Sequence, residues 1–299
     1  MLGEEAISKL LKAGEIAKKA LERATKITRP GVRVLDVVNS IENYIRELGG
    51  APAFPVNVGI NSVAAHYTPP YGNNLVIPEN SVVKVDVGVH VDGYIADTAA
   101  TLAFNPVYEG LVDAPRRALE RAIEVVRPGV RASEVGRIVE EVIKSSGFKP
   151  IKNLSGHGIE RYRIHSGFVI PNYNDHLNRQ KIGEGVYAVE PFATDGAGLV
   201  RELNSITIYA LKPTSRPLPA QVKDFYEMIY RERRELPFTT RWYIRGVEGA
   251  ARVQDMINGL RKARCLVEYP VLVERNNGIV TQFEHTIVVT EKDVIVITA

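Results

Sequence analysis

An internal repeat is the sequence feature that most constrains how this chain can fold. The segment ALERATKITRPGVR (20–33) returns as ALERAIEVVRPGVR (118–131), with ten of the fourteen positions identical. Each copy predicts a helix and a Pro-Gly turn, and the amphipathic stretch after it predicts a second helix that ends at glycine. Strand-like runs follow each helix pair. We therefore expect an α+β fold of two αα–β halves, about 1–108 and 109–299, related by a pseudo-twofold axis around a central antiparallel sheet.

The segment VKVDVGVHVDGYIADTA (83–99) predicts a β-hairpin, because its valines alternate and its Asp-Gly pair is a strong signal for a two-residue turn. Such a turn places Gly88 opposite Asp97. It also places Asp86 opposite Ala99, so the two aspartates become diagonal neighbours on one face. The small residues at the other two corners leave room for something between the carboxylates. Close carboxylates either face water, share a proton or hold a cation. The hairpin alone leaves these alternatives open.

Glutamates occupy similar positions in the second half. Glu190 follows the apolar run GVYAV, and Glu284 lies in TQFEHTIVV, so both belong to strand-like segments. We take Glu190 as the counterpart of Asp86. Glu284 is then the counterpart of Asp97, and four carboxylates converge on the pseudo-twofold axis. Carboxylates joined by one imidazole suit Mn, Fe, Co or Zn, and such carboxylates can bridge two ions.

Six histidines are candidates for the imidazole. His66 ends INSVAAH, and His157 and His165 lie in NLSGHGIERYRIHSG, where a strand would pass the centre of the second half. Spacing does not choose among these three, and each could instead be a structural histidine. His285 directly follows the strand glutamate and should point to the opposite face. His90, beside the hairpin turn, is expected to face water.

The segment 211–270 differs in character from the rest of the chain. A proline cluster, KPTSRPLP, precedes two candidate helices at about 220–235 and 247–264, which indicates a helical subdomain inserted into the second half. The stretch 212–270 carries twelve Lys or Arg and seven Asp or Glu, and we expect this positive charge to face solvent. A docking surface for RNA or protein is the alternative. The single cysteine, Cys265, is expected to be a buried structural thiol.

Five motifs in this order resemble those of type II methionine aminopeptidases, which belong to the pita-bread metallopeptidases. They are AHYTP, DVGVHVDGYIADTA, GHGIERYRIHSG, AVEPFAT and TQFEHT, and the resemblance runs from about residue 15 to the C-terminus. It implies the same pseudo-twofold fold that the repeat predicts. The long connection between Glu190 and Glu284 resembles the helical insertion of type II enzymes, and the compact architecture resembles archaeal members.

The resemblance implies a role for ten residues. Five are implied as ligands of two divalent metal ions (Co, Mn, Fe or Zn): Asp86, Asp97, His157, Glu190 and Glu284. Of these, Asp97 and Glu284 are implied to bridge the two ions. Glu190 is also implied as the general base. Two histidines are implied to contact the substrate and to stabilise the oxyanion: His66 and His165. Three residues are implied to line the methionine pocket: Phe54, Ile164 and Tyr269.

The implied function is removal of the initiator methionine from nascent polypeptides, with a small second residue preferred and the ribosome as a possible partner. The family also implies a monomer. The sequence contains no run of about 18 apolar residues and no apolar core of a secretion signal, so we expect a cytoplasmic protein without membrane contact. Two alternatives stay open, an Xaa-Pro exopeptidase of the same fold and a non-catalytic binding protein. The helical segment argues against the first, and the five ligand types argue against the second.

Overall fold

The helix pairs that the repeat predicts are present in both halves. The computed structural model describes residues 2–214 and 216–299. The four outer helices are α1 (Glu4–Ile27), α2 (Val34–Glu47), α3 (Glu109–Val125) and α4 (Ala132–Ser145). The glycine of each Pro-Gly turn has a left-handed backbone, with φ of 83° at Gly31 and 90° at Gly129. The N–H of Gly31 donates to the carbonyl of Ile77 (2.9 Å), and that of Gly129 donates to Ile182 (2.8 Å). The same hydrogen bond therefore fixes both turns, as expected for a duplicated unit.

The first half builds its sheet on the predicted hairpin. The strands of this half are β1 (Ala51–Pro52), β2 (Asn57–Ile60), β3 (Val63–Ala65), β4 (Val82–Val91) and β5 (Tyr94–Ala103), of which β3 joins a sheet of the second half. β4 pairs with β1, β2 and β5, and all these pairings are antiparallel. Gly88 lies opposite Asp97. Asp86 lies opposite Ala99, so the predicted register is confirmed.

The second half contributes the remaining strands. They are β6 (Lys149–Pro150), β7 (Ser155–Ile159), β8 (Val169–Pro171), β9 (Gly185–Val189), β10 (Phe192–Thr194), β11 (Val200–Leu211), β12 (Leu266–Glu274), β13 (Val280–Gln282), β14 (His285–Val289) and β15 (Val294–Val296). The sheet orders are β15-β14-β9-β7-β8, β13-β10-β6 and β11-β12-β3. Val189 pairs with His285, so Glu190 and Glu284 lie together at one end of the β9–β14 pair. The fold is α+β, as predicted.

The two halves meet along β5. The N–H of Glu284 donates to the carbonyl of Ala99 (3.1 Å). The hydroxyl of Thr98 donates to the carbonyl of Glu284 (2.8 Å), and the hydroxyl of Thr286 donates to that of Asp97 (2.7 Å). The segments that carry the predicted carboxylates are therefore in direct contact across the junction.

Helices cover the outer faces. One hydrophobic cluster lies under α1 and α2 and also takes in second-half residues such as Ile159, Ala188 and Val288, and a second cluster lies under α3 and α4. The buried side of α1 is rich in alanine, at Ala13, Ala17, Ala20 and Ala24. Small side chains let this helix pack close to β4 and β5. The buried valines of β4 and Ile95 of β5 belong to the same cluster. Within the described residues, no helix combines the length and the apolar character that crossing a membrane requires.

The segment between β11 and β12 is helical, as predicted. It contains α5 (Ala220–Arg233), a 3₁₀ helix (Thr240–Trp242) and α6 (Gly246–Lys262); another 3₁₀ helix (Pro106–Tyr108) precedes α3. The two α-helices share a separate hydrophobic cluster with Ile229, Phe238 and Ile257 at its centre. Cys265 is fully buried, as expected for a structural thiol. Ser215, in the proline cluster that precedes α5, lies outside the described residues.

Ten of the twelve basic residues in 212–270 are exposed, as expected, and two arginines are the exceptions. Arg233 and Arg241 are 7% and 8% exposed. Backbone carbonyls surround the first, and the carboxylate of Glu42 on α2 binds the second. Both sets of partners include groups far away in the sequence, so local composition gave no sign of this burial.

Candidate metal centre

A cavity at the junction of the two halves brings together all ten residues to which the resemblance assigns a role. Its volume is about 360 Å³. The predicted residues that line it are Phe54, His66, Asp86, Asp97, His157, Ile164, His165, Glu190, Tyr269 and Glu284. Many are distant in sequence and meet only because the halves pack against each other. The predicted set is therefore complete in one place.

Asp86 and Asp97 share one face of the β4–β5 hairpin. Asp97 is buried, and its backbone N–H donates to the hydroxyl of Thr286 (2.7 Å), which holds β5 in position at this point. Phe54 fills the space above Gly88. A β-carbon on Gly88 would lie 2.2 Å from the ring of Phe54. Phe54 therefore packs directly over the glycine and forms a wall next to the carboxylates.

Glu190 and Glu284 reach the same place from the ends of β9 and β14. The side-chain amide of Gln282 donates to Oε2 of Glu284 (3.1 Å), which orients this buried carboxylate. The amide of Asn172 donates to the backbone carbonyl of Glu190 (3.1 Å). The side chain of Glu284 and the backbone of Glu190 are thus each held by a neighbouring side chain.

His157, on β7, is the candidate histidine that lies among the carboxylates. Its Nε2 is 3.5 Å from Oε1 of Glu190 and 3.8 Å from Oδ2 of Asp97. One ligand atom from each of Asp97, His157 and Glu284 lies within 4.8 Å of the others. This arrangement can hold a metal ion between the two halves.

The pKa values of the four carboxyl groups are all raised. Burial raises the pKa of Asp86 to about 7. Burial, and then the charges of Asp86 and Glu190, raise the pKa of Asp97 well above its ordinary value. Burial, and then Asp86, raise the pKa of Glu190; burial, and then Asp97, raise that of Glu284. Such a cluster needs bound protons or cations to offset its repulsion.

The donor atoms at this site fit a divalent metal ion. Within the described residues, four buried atoms of the site lack a hydrogen-bond partner: Asp86 Oδ1, Asp97 Oδ1, His157 Nδ1 and Glu284 Oε1. Carboxylate oxygen together with imidazole nitrogen suits Mn, Fe, Co and Zn. Burial lowers the pKa of His157 to about 3, so the ring is neutral, which is the form that binds metal.

The other two candidate histidines lie beside this cluster. The ring centroids of His157 and His165 are 4.4 Å apart, and those of His66 and Tyr269 are 5.4 Å apart. His66 has a φ of 63°, an uncommon backbone conformation for a residue other than glycine, and its Nδ1 lies 3.2 Å from the carbonyl oxygen of Pro270. Burial lowers the pKa of His66 to about 4 and also lowers that of His165. Both rings are therefore neutral at pH 7.

Sequence reasoning misses several residues of the cavity wall, among them Asn57, Ile208 and Pro237. Asn57 pairs with Asp86 across β2 and β4. An asparagine inside the apolar run FPVNVGI was the one local signal in the sequence that could have identified Asn57. Ile208 and Pro237 come from β11 and from the segment after α5, and nothing in their neighbourhood indicates a site.

Two further histidines lie outside this cavity wall. His90 is buried, contrary to expectation, because its Nδ1 accepts the N–H of Gly93 (3.2 Å) and its ring packs near Tyr162. His285 contacts the hydroxyl of Thr298 (2.9 Å). Both therefore have structural contacts that account for their positions.

Similarity to known proteins agrees with this geometry. The sequence model of metallopeptidase family M24 matches residues 8–291. The chain belongs to metallopeptidase family M24. Within this family it is 47% identical over 294 residues to the methionine aminopeptidase of Pyrococcus abyssi, in a match that spans 98% of this chain and 99% of that protein. The relationship expected from the five motifs is thus confirmed.

Solved structures show the same fold. A thermophilic Arx1 gives a TM-score of 0.86 at 15% identity, in a match that covers 99% of this chain and 91% of that one. The methionine aminopeptidase of Thermotoga maritima gives a TM-score of 0.70 at 24% identity, in a match that covers 99% of this chain and 97% of that one. At these identities the likeness concerns the fold alone, which is the predicted pita-bread architecture.

Proposed function

We propose that the chain removes the initiator methionine from nascent polypeptides by metal-assisted hydrolysis, with a small second residue preferred. The observation that carries the proposal is the buried group of Asp97, His157 and Glu284, whose ligand atoms lie within 4.8 Å of one another inside the cavity. The relationship to methionine aminopeptidases supports methionine as the residue that is removed.

The proposed centre holds two divalent metal ions. Five residues would bind them, two from the first half and three from the second: Asp86, Asp97, His157, Glu190 and Glu284. Asp97 and Glu284 come from the two segments that meet across the junction. When bound, the ions supply a water of lowered pKa and polarise the scissile carbonyl.

Glu190 is the proposed general base. Its Oε1 lies 3.5 Å from Nε2 of His157 in a buried site. Burial, and then Asp86, raise its pKa, which brings its proton affinity closer to that needed at neutral pH. Glu190 takes a proton from the attacking water and later donates it to the leaving amine.

The two neutral histidines have different proposed roles. The contact of His66 Nδ1 with the carbonyl of Pro270 assigns the ring proton to Nδ1, which leaves Nε2 as an acceptor for a substrate N–H. His165, next to His157, is the proposed donor to the oxyanion. Together they would position the scissile amide.

The side chain of methionine would enter the apolar part of the cavity. Phe54, Ile164 and Tyr269 line it, as the resemblance implies, and Ile208 and Pro237 add to the wall. A thioether side chain suits such a pocket because it is apolar and flexible.

The proposal includes the location, the oligomeric state and the domain organisation of the enzyme. The enzyme acts in the cytoplasm as a monomer, on nascent chains presented by the ribosome. The chain divides into halves at about 1–108 and 109–299, with an inserted helical subdomain at 211–270. The separate hydrophobic cluster of that segment supports the subdomain, and the resemblance to the family supports the rest.

Release of free amino acids from two tripeptides tests the proposed function. Chelator-treated protein receives Mn, Fe, Co or Zn in turn and is incubated with Met-Gly-Ser or Ala-Pro-Ser. We expect metal-dependent release of methionine from the first peptide and little cleavage of the second. Cleavage of Ala-Pro-Ser alone would indicate an Xaa-Pro exopeptidase. Absence of cleavage with every metal would contradict the proposal and favour a binding protein.

A further inference from the structure

Arg233, at the C-terminal end of α5, is a buried cation that binds backbone carbonyls. Its Nε and Nη2 donate to the carbonyl of Pro237 (3.1 and 2.9 Å). The same Nη2 donates to the carbonyls of Pro52 (2.8 Å) and Ala53 (3.1 Å). Its guanidinium carbon lies 4.5 Å from the ring centroid of Trp242. One side chain therefore joins two segments that are far apart in the sequence.

Both of these segments provide a wall of the cavity. Pro52 and Ala53 directly precede Phe54, whose ring covers Gly88 next to the carboxylates. Pro237, which also lines the cavity, belongs to the segment after α5. Pro237, which supplies one of these carbonyls, lines the cavity itself. Pro52 and Ala53, which supply the other two, stand two and one residues before Phe54, which also lines it.

The surroundings of Arg233 are themselves held in place. The carboxylate of Glu42 accepts two hydrogen bonds from Arg241 (2.8 and 2.9 Å) and one from Nε1 of Trp242 (2.7 Å). It also accepts the N–H of Val56 (3.3 Å), two residues beyond the cavity phenylalanine. Glu42 of α2 therefore fixes the indole beside the guanidinium and the backbone that follows Phe54.

A buried guanidinium is a costly way to fill this space. Desolvation opposes it, and an apolar side chain of similar volume would pack at lower cost. Burial lowers its pKa to about 10, so Arg233 still carries its charge at neutral pH. What arginine adds is a planar set of donors whose directions are fixed, which a flexible apolar side chain cannot provide.

We propose that Arg233 is a specificity-determining positioning residue: it fixes Pro237 relative to Phe54 and thereby sets the width of the pocket for the substrate's N-terminal side chain. The inference rests on the proposed function. Arg233 acts through the backbone of these walls and does not touch the substrate. Its loss should widen the range of accepted side chains rather than stop the chemistry.

Kinetics on Met-Gly-Ser, norleucyl-Gly-Ser and Leu-Gly-Ser test this role in the metal-loaded enzyme. For R233M we expect KM for the methionine peptide to rise roughly 10-fold, with kcat nearly unchanged, because misfits of one methylene change discrimination by about 10–200-fold. The preference for methionine over leucine should fall by a similar factor. R233K keeps the charge but not the planar set of donors, so it should also lose selectivity. Arg231 is exposed on the same helix, so the control variant R231M should behave like the wild type.

Far-UV circular dichroism reports whether each variant is folded, since Trp242 contacts the guanidinium and its fluorescence changes when Arg233 is replaced. A native dichroism spectrum in R233M or R233K with unchanged KM and an unchanged methionine-to-leucine ratio would overturn the inference while leaving the proposed function intact. An equal loss of kcat on all three peptides would overturn it too, because that pattern indicates general damage.

If the wild type releases no methionine with any metal, the proposed function fails, and calorimetric binding of L-methionine and L-leucine decides the inference instead. A wild-type preference for L-methionine that is lost in both Arg233 variants supports it. Absence of that preference in the wild type overturns it.

Discussion

At the residue scale, small side chains determine where the carboxylates and the walls of the cavity can lie. Ala99 lies opposite Asp86 in the hairpin and forms a bridge with Glu284 across the junction. A longer side chain there would compete with both for space. Gly88 leaves room for Phe54 in the same way, because the ring occupies the position that a β-carbon on Gly88 would take.

The substitution G88A should therefore damage the pocket wall. The added methyl group would lie 2.2 Å from the ring of Phe54. We expect about 1–3 kcal/mol of destabilisation and a fall in kcat/KM for Met-Gly-Ser of about 10-fold, measured by urea unfolding and by amino-acid release. G183A is the matched control, since a β-carbon added there would have no atom within 4 Å. Equal kinetics for G88A and the wild type would show that Phe54 is not a wall of the pocket.

The substitution E190Q should abolish turnover while the fold is kept. Glutamine keeps a side-chain oxygen that can bind a metal ion, but it cannot accept and release a proton, so kcat should fall by about 10²–10⁴-fold. Removing one charge from the repelling carboxylates should leave the melting temperature of the metal-free protein unchanged or higher. E202Q, at an exposed position on β11, is the control. Substantial activity in E190Q would exclude Glu190 as the general base.

At the element scale, the fold follows from signals that are local in the sequence. The repeat predicts the paired helices, and the alternating valines with their Asp-Gly turn predict the hairpin and its register. The repeat also predicts that the four carboxylates converge, but the contacts that surround them are long-range and left no such signal. Phe54 covers Gly88, and Arg233 and Arg241 become buried, only because distant segments pack against them.

The ion pair between Glu42 and Arg241 should make a large contribution to stability, because both side chains are buried. Removing one partner leaves an uncompensated buried charge, so E42Q should lower the free energy of unfolding by about 3–5 kcal/mol. D36N is the control on the same helix. The pair of Asp36 with Arg33 is half exposed, and its loss should cost less than about 1 kcal/mol. Urea unfolding followed by Trp242 fluorescence measures both, and similar values for the two variants would contradict the argument.

At the scale of the whole molecule, the proposed metal ligands are divided between the two halves. Asp86 and Asp97 come from the first half, and the other three come from the second. A cation bound among them would hold the junction together, and without one the clustered carboxylates oppose it. The stability of the entire fold should therefore depend on metal.

Thermal unfolding with and without metal measures this linkage. A cation at about 100 times its Kd adds roughly 2.7 kcal/mol to the folded state, which corresponds to an increase in Tm of about 4 °C for a chain of this length. D97N should lose this increase. Its metal-free form should nevertheless melt at or above the wild-type temperature, because a buried charge that raises the pKa of Glu284 has been removed. D92N, in the exposed turn of the same hairpin, should keep the full response to metal. If the wild type melted at the same temperature in both conditions, the junction would not be the place where the metal binds.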